Sequence, residues 1–229
     1  MSLKNNHSEY TKEIADRKIQ YLIHFTPTIN LYSILEHKSL LSRESLENID
    51  VDNYDILDYI QFTDNIRYDD KSFINLSISS PNTFLLSKFI ERTRDDVSIS
   101  WCILKIDPKH IYDDETLFSV TNAASVSAQK QYKIKGDIDT FSLLFNDKLI
   151  INNNQNNREL TRGSIKNKYP TDIQAEVLVK NTIPISSIIS ICFVNDTQLA
   201  EAKAAMIEFN TDKFIVDPLI FNPNRNSGC

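Results

Sequence analysis

A carboxylate sits inside a short apolar strand, and a basic stretch runs up to it. Residues Gln174-Ala175-Glu176-Val177-Leu178-Val179 alternate so that Gln174, Glu176 and Leu178 share one face, and Ala175, Val177 and Val179 the other. Burying Glu176 unpaired would be costly, so it needs donors or an exposed cleft. A carboxylate so placed can stabilise a developing positive charge, or take a proton from an attacking group. Just upstream, Arg158, Arg162, Lys166, Lys168 and Tyr169 form a polar, basic run ending at Pro170-Thr171-Asp172. Structural ion pairs and charged edge strands give similar patterns, so the chemistry has to be argued from the rest of the chain.

The bulk properties narrow the classes. The 229 residues fit one domain, 1–229, with 41% hydrophobic and 24% charged side chains. No apolar run approaches the ~20 residues of a membrane helix. The polar N-terminal stretch lacks a signal-peptide core, which places the expected compartment in the cytoplasm, with no membrane partner. The net charge is −6, which argues against general nucleic-acid binding but leaves room for a local basic groove. Acidic residues crowd 44–70, where Arg67 is the lone cation.

Three glycines, Gly136, Gly163 and Gly228, cannot build a Rossmann fingerprint or a P-loop. A nucleotide would have to be held by another architecture. His24, the other histidines and the three cysteines lack paired ligand spacing, so no metal is expected. Cys102 and Cys192 lie in apolar runs and read as buried small hydrophobes.

Strands are expected at 21–26, 74–79, 99–106, 117–120, 174–179, 184–194 and 213–216. Helices are expected at 29–37, 83–94, 137–145 and 197–209, with a helix or arm over 1–19. Ile29, Ile34 and Leu35 should face inward on one helix, and Phe84, Leu85, Phe89 and Ile90 on the next. Residues 146–173 read as a loop longer than a compact domain usually keeps, and such loops are functional or disordered. This order suits an α+β domain with a mixed or antiparallel sheet and flanking helices.

Four segments together resemble the DarT family of DNA ADP-ribosyltransferase toxins. They are Tyr21–Thr26 with Asn30–Leu35 and Leu40–Ser42, then Asn75–Asn82, then Asn122-Ala123-Ala124-Ser125, then Gln174–Val179. They occur in the family's order and span most of residues 20–195. The resemblance implies an ADP-ribosyltransferase fold, with a split central β-sheet holding NAD in a cleft. It also implies ADP-ribose transfer to a base in single-stranded DNA, and a DarG-like macrodomain antitoxin as partner. By the same resemblance Glu176 is the catalytic carboxylate, and Arg67 grips the NAD phosphates. His24 and Thr26 fix nicotinamide and its ribose, and Tyr59 or Tyr68 stacks on nicotinamide. The resemblance also makes 146–173 the substrate-recognising loop, in which Arg158, Arg162, Lys166 and Lys168, with Tyr169, would carry DNA. The segment 75–82 leans towards the guanine-modifying branch. Gln174-Ala175-Glu176 also keeps open a protein target, the same fold could act on RNA, and a non-catalytic nucleic-acid-binding module is the remaining alternative.

Overall fold

Strand propensity in this chain is concentrated in short apolar runs separated by helix caps. In a computed structural model, which describes residues 2–49, 70–96, 98–152, 157–222 and 224, these runs pair into one central sheet. The elements are helix α1 (His7–Arg17), strand β1 (Leu22–Pro27), helix α2 (Leu31–Glu36), β2 (Ser39–Leu41), α3 (Arg43–Asn48), β3 (Phe73–Ile78), α4 (Thr83–Arg92), β4 (Trp101–Ile106) and β5 (Leu117–Ser119). A π-helical turn (Ser127–Tyr132) follows, then α5 (Ile138–Leu143), β6 (Lys148–Asn152), β7 (Asn157–Thr161), β8 (Glu176–Lys180), β9 (Thr182–Pro184), β10 (Ile188–Phe193), α6 (Asp196–Ala205) and β11 (Phe214–Val216).

The sheet has seven strands in the order β11-β10-β4-β1-β3-β8-β5. All its neighbours are antiparallel except β10 and β11, so the sheet is mixed. β1 pairs with β4 along its whole length, but with β3 only at Leu22–Ile78 and Ile23–Ser77. Beyond those pairs β1 and β3 diverge, and the sheet opens. β2 pairs with β9, and β6 with β7, as separate ribbons.

Alternation then sorts side chains to two cores. Leu22, Leu104, Ile74, Leu76, Ile78, Val177 and Val179 join the larger one, around Phe118 and Phe141. Ile23, Ile103, Cys192 and Trp101 join the second, under Leu86 and Phe89 of α4. Burying each such side chain contributes roughly 2 kcal/mol. The Trp101 indole N–H donates to Thr93 Oγ1 at 3.0 Å, which satisfies its one polar group. After β11, Asp217 pairs with Lys105 Nζ at 2.7 Å, and Ile220 and Phe221 pack on the second core. At the other end, the buried Lys4 ammonium donates to the carbonyls of Asp114 (3.0 Å) and Thr116 (2.7 Å), which orders the arm before α1.

Several local expectations are corrected. Residues 28–30 form a 3-10 turn rather than the start of α2, which leaves Ile29 exposed, while Ile34 is buried as expected. In α4 the cap is Asn82, whose Oδ1 accepts from the Leu85 N–H at 3.2 Å. That cap sets Thr83, Leu86 and Phe89 inward and leaves Phe84 and Ile90 exposed. Asp137 caps α5 as its sequence predicts, accepting from the Thr140 N–H at 2.8 Å. Residues 146–173 are not a structureless loop. They hold the β6–β7 ribbon, with Leu149 and Ile151 buried.

Candidate active site

The opening between β1 and β3 gathers the polar groups. On β3 the even-numbered residues Ile74, Leu76 and Ile78 fill the core, so Asn75 points to the other face and is exposed. On β8, Val177 and Val179 fill the same core, which turns Glu176 to the face of Asn75. The Asn75 side-chain N–H donates to Glu176 Oε1 at 3.2 Å. The main-chain N–H of Ala123 donates to Glu176 Oε2 at 2.8 Å. Each carboxylate oxygen therefore has a donor that fixes its direction.

Ala123 lies in the Asn122-Ala123-Ala124-Ser125 turn. Asn122 Oδ1 accepts from the Ala124 N–H at 2.8 Å, and the Asn122 carbonyl accepts from the Ser125 N–H at 2.9 Å. Ser125 Oγ accepts from the Ala128 N–H at 3.1 Å, launching the π-helical turn. Asparagine and serine suit this job because their short side chains bond nearby backbone. π-Helical turns are rare and frequently mark functional sites.

His24 closes the other side. Its Nδ1 lies 3.2 Å from the Asn75 carbonyl, across the opening. A carbonyl only accepts, so Nδ1 carries the proton and Nε2 keeps a lone pair. Burial pushes the His24 pKa down, and the carbonyl contact partly opposes it. Thr26 is buried, and its hydroxyl accepts from the Asn30 side chain at 2.9 Å. His24, Asn75, Ala123 and Glu176 thus form a connected set at the edge of the cleft, while Thr26 lies further along β1.

The basic run behaves differently from its sequence reading. Arg162 is buried, and its guanidinium donates to the carbonyls of Tyr169 (2.9 Å) and Lys166 (2.9 Å) and to Thr171 Oγ1 (3.3 Å). It is a strut, fully occupied by its own loop. Tyr169 is also buried, so its ring is not presented as a platform for a base. Arg158 is paired with Asp172 at 2.9 Å, and 42% of its side chain stays exposed. Lys166 is exposed, and Lys168 is half-buried with its ammonium 5.1 Å from the Tyr169 ring centre. Arg67, Tyr59 and Tyr68 lie outside the described residues.

Asn75 and the Ala123 N–H carry no assigned role in the sequence reading. Asn75 was legible as a polar residue on the open face of an apolar strand. The Ala123 contact was not, because a main-chain donor leaves no mark on residue identity. Among the described residues, no group of three His, Cys, Asp or Glu side chains is placed to hold a metal ion. No helix among them is long and apolar enough to cross a membrane.

A split, mixed sheet with a donor-held glutamate at its opening defines an ADP-ribosyltransferase-type fold. The family model described as "ssDNA thymidine ADP-ribosyltransferase, DarT" matches residues 23–224. The chain therefore belongs to the DarT family of NAD-dependent DNA ADP-ribosyltransferases. Among solved structures, it is similar to Thermus sp. 2.9 DarT in complex with ADP-ribosylated single-stranded DNA. The TM-score is 0.56 at 10% identity, with 90% of this chain and 97% of that one covered. The same Thermus protein in complex with NAD+ gives a TM-score of 0.54 at 11% identity, covering 89% and 98%. Thermosipho africanus DarTG in complex with ADP-ribose gives 0.55 at 18% identity, covering 88% of this chain. The chain spans about half of that DarTG chain, 51%. No curated protein sequence matches it. The family description names thymidine, and the guanine preference expected from residues 75–82 finds no support.

Proposed function

We propose that this protein transfers ADP-ribose from NAD to a thymidine base of single-stranded DNA, releasing nicotinamide. The observation that carries this reading is Glu176, held by Asn75 and Ala123 at the opening of the split sheet, in a chain matched to the family over residues 23–224. In the reaction the bond from the ribose anomeric carbon to nicotinamide breaks. A bond from that carbon to a ring nitrogen of the base forms, and the base gives up a proton. Glu176 stabilises the positive charge that develops on the ribose, and receives that proton. A single strand spares the enzyme the cost of extruding a base from a duplex.

In this reading His24, neutral and fixed on Asn75, lines the nicotinamide end, and Thr26 shapes β1 beside it. Arg67 grips the phosphates, as a planar guanidinium suits, and Tyr59 or Tyr68 stacks on nicotinamide. Lys166 and Lys168 hold the DNA backbone, with the exposed part of Arg158 beside them. The DarTG relative supports a DarG-type macrodomain partner.

The test is intact-mass analysis of oligonucleotides after incubation with NAD. A gain of one ADP-ribose on a thymidine-containing strand, absent with thymidine-free strands and with Glu176→Ala, is the expected result. Modification of a thymidine-free strand would move the acceptor to another base. Modification of RNA or protein alone would replace the substrate class.

A further inference from the structure

The β6–β7 ribbon is fastened to both ends of the segment that presents Glu176. On one side, β6 is zipped to the π-helical turn by side chains standing in for a neighbouring strand. Ser127 Oγ accepts from the Asn152 N–H at 2.6 Å, and Gln131 Oε1 accepts from the Asn152 side chain at 2.8 Å. Gln131 Nε2 donates to the Ile150 carbonyl at 3.1 Å, and the Ile150 N–H donates to the Tyr132 hydroxyl at 3.1 Å. The same turn reaches back to the active site. Gln129 Nε2 donates to the Ala123 carbonyl at 3.3 Å, and Ala123 holds Glu176.

On the other side, β7 sends Arg158 to Asp172 at 2.9 Å. The buried Asp172 accepts from the Gln174 N–H at 3.0 Å on Oδ1, and from the Ala175 N–H at 3.1 Å on its carbonyl. Glu176 is the next residue. Two chains of hydrogen bonds therefore run from one ribbon to one carboxylate, one through its main-chain donor and one through the turn before it.

The geometry points to the β6–β7 ribbon as a positioning device for Glu176, with Gln131 and Arg158 as its two positioning residues. It rests on the reaction proposed above. Neither residue reaches Glu176 directly. Each acts by setting where the carboxylate sits, and a displacement on the order of 1 Å at a reacting group can cost about a hundredfold in rate.

Gln131 is exposed, which makes Gln131→Ala tolerable to the fold, whereas Arg158→Ala leaves the buried Asp172 carboxylate without its cation, so Arg158→Lys, which keeps the charge, is read beside it. Three readouts are needed. Hydrogen exchange of the peptide covering 121–126 reports the Ala123 N–H, whose protection depends on Glu176, and Glu176→Ala sets its unprotected limit. Single-turnover kinetics with NAD and a thymidine-containing strand report the chemical step, and calorimetry reports NAD and DNA affinity. The expected result for Gln131→Ala is faster exchange at Ala123, a rate lowered about tenfold, and affinities within about twofold of the parent. Arg158→Ala should lower the rate similarly, and Arg158→Lys should recover most of it. Unchanged exchange at Ala123 in Gln131→Ala would overturn the linkage. So would faster exchange with an unchanged rate in Gln131→Ala, or a rate loss in that variant matched by lost DNA affinity. If the parent protein modifies no DNA at all, the proposed reaction fails, and the exchange result alone decides the linkage.

Discussion

His24 and Asn75 meet across the opening of the sheet, imidazole Nδ1 to main-chain carbonyl at 3.2 Å. Asn75 is thereby gripped twice, by β1 through its backbone and by Glu176 through its side chain. The cleft edge is one hydrogen-bonded line from β1 to β8, and its middle member is a residue with no charge to lose.

Asn75→Ala should therefore reduce transfer without unfolding the protein. Asn75 is exposed, so little packing is lost. Glu176 keeps its Ala123 donor but loses the one that fixes Oε1. We expect a rate lowered on the order of tenfold with NAD affinity nearly unchanged. Single-turnover mass analysis checks this, and an unaltered rate would remove Asn75 from the site.

The His24 ring gives a pH signature. Its folded-state pKa lies below its ordinary value of 6.5, because burial disfavours the cation. The unfolded chain then binds a proton that the folded protein resists. Stability from this group is complete above pH 6.5 and is lost as pH falls from 6.5 towards the depressed value. His24→Gln should flatten that stretch of the curve. Denaturant midpoints measured between pH 7 and 5 supply the comparison, and equal slopes in parent and variant would count against it.

Arg162 and the two lysines near it should separate cleanly. Arg162→Met strips three hydrogen bonds from a buried strut, two of them to main-chain carbonyls. The expected cost is about 2–3 kcal/mol of stability, seen as a lower midpoint in urea, with the DNA salt slope unmoved. Lys166→Ala with Lys168→Ala should do the reverse. Loss of two phosphate contacts would reduce the log–log salt slope by about 1.4 on a single strand. An unchanged slope would place the DNA path elsewhere.

Asp217→Ala should loosen the segment after β11. It leaves the Lys105 ammonium, 14% exposed, without its 2.7 Å partner. A loss of about 2 kcal/mol is expected, since the pair is only partly shielded from water. Thermal unfolding tests it, and Lys105→Met in the Asp217→Ala background should recover part of the loss.

Legibility in the sequence followed the strength of local periodicity. In residues 174–179 the polar Gln174 and Glu176 alternate with Ala175, Val177 and Val179, broken only by Leu178, so the face of Glu176 was readable from the residues. The ribbon was not readable. Lys148–Asn152 does alternate, with Leu149 and Ile151 inward, but the outward Ile150 makes it an apolar triplet with no visible period. Its partner, Asn157–Thr161, is polar but for Leu160, because that strand packs against little. In α4 the start at Thr83 and the inward Phe89 match the expectation, but the buried face runs through Thr83 and Leu86. Phe84 and Ile90 are apolar yet exposed, so hydrophobicity alone did not mark the buried face. The fate of Arg162 and Tyr169 was hidden for a different reason. Nothing local distinguishes a guanidinium that binds phosphate from one that binds carbonyls seven residues away.

The two-pair seam between β1 and β3 has a consequence for how the molecule opens. Strands β11, β10, β4 and β1 are continuous with one another, as are β3, β8 and β5, yet the strand pairing that joins the groups is limited to Leu22–Ile78 and Ile23–Ser77, with the Ser79 N–H to Tyr21 carbonyl bond and the His24–Asn75 contact beside them. Cooperative units of opening tend to follow such boundaries. The amides of Ile103 and Cys192, whose side chains fill the second core, should exchange together, at a free energy distinct from that shared by Leu76, Val177 and Phe118 of the larger one. The carboxylate then belongs to one unit and the histidine to the other, and the site exists only while both are closed.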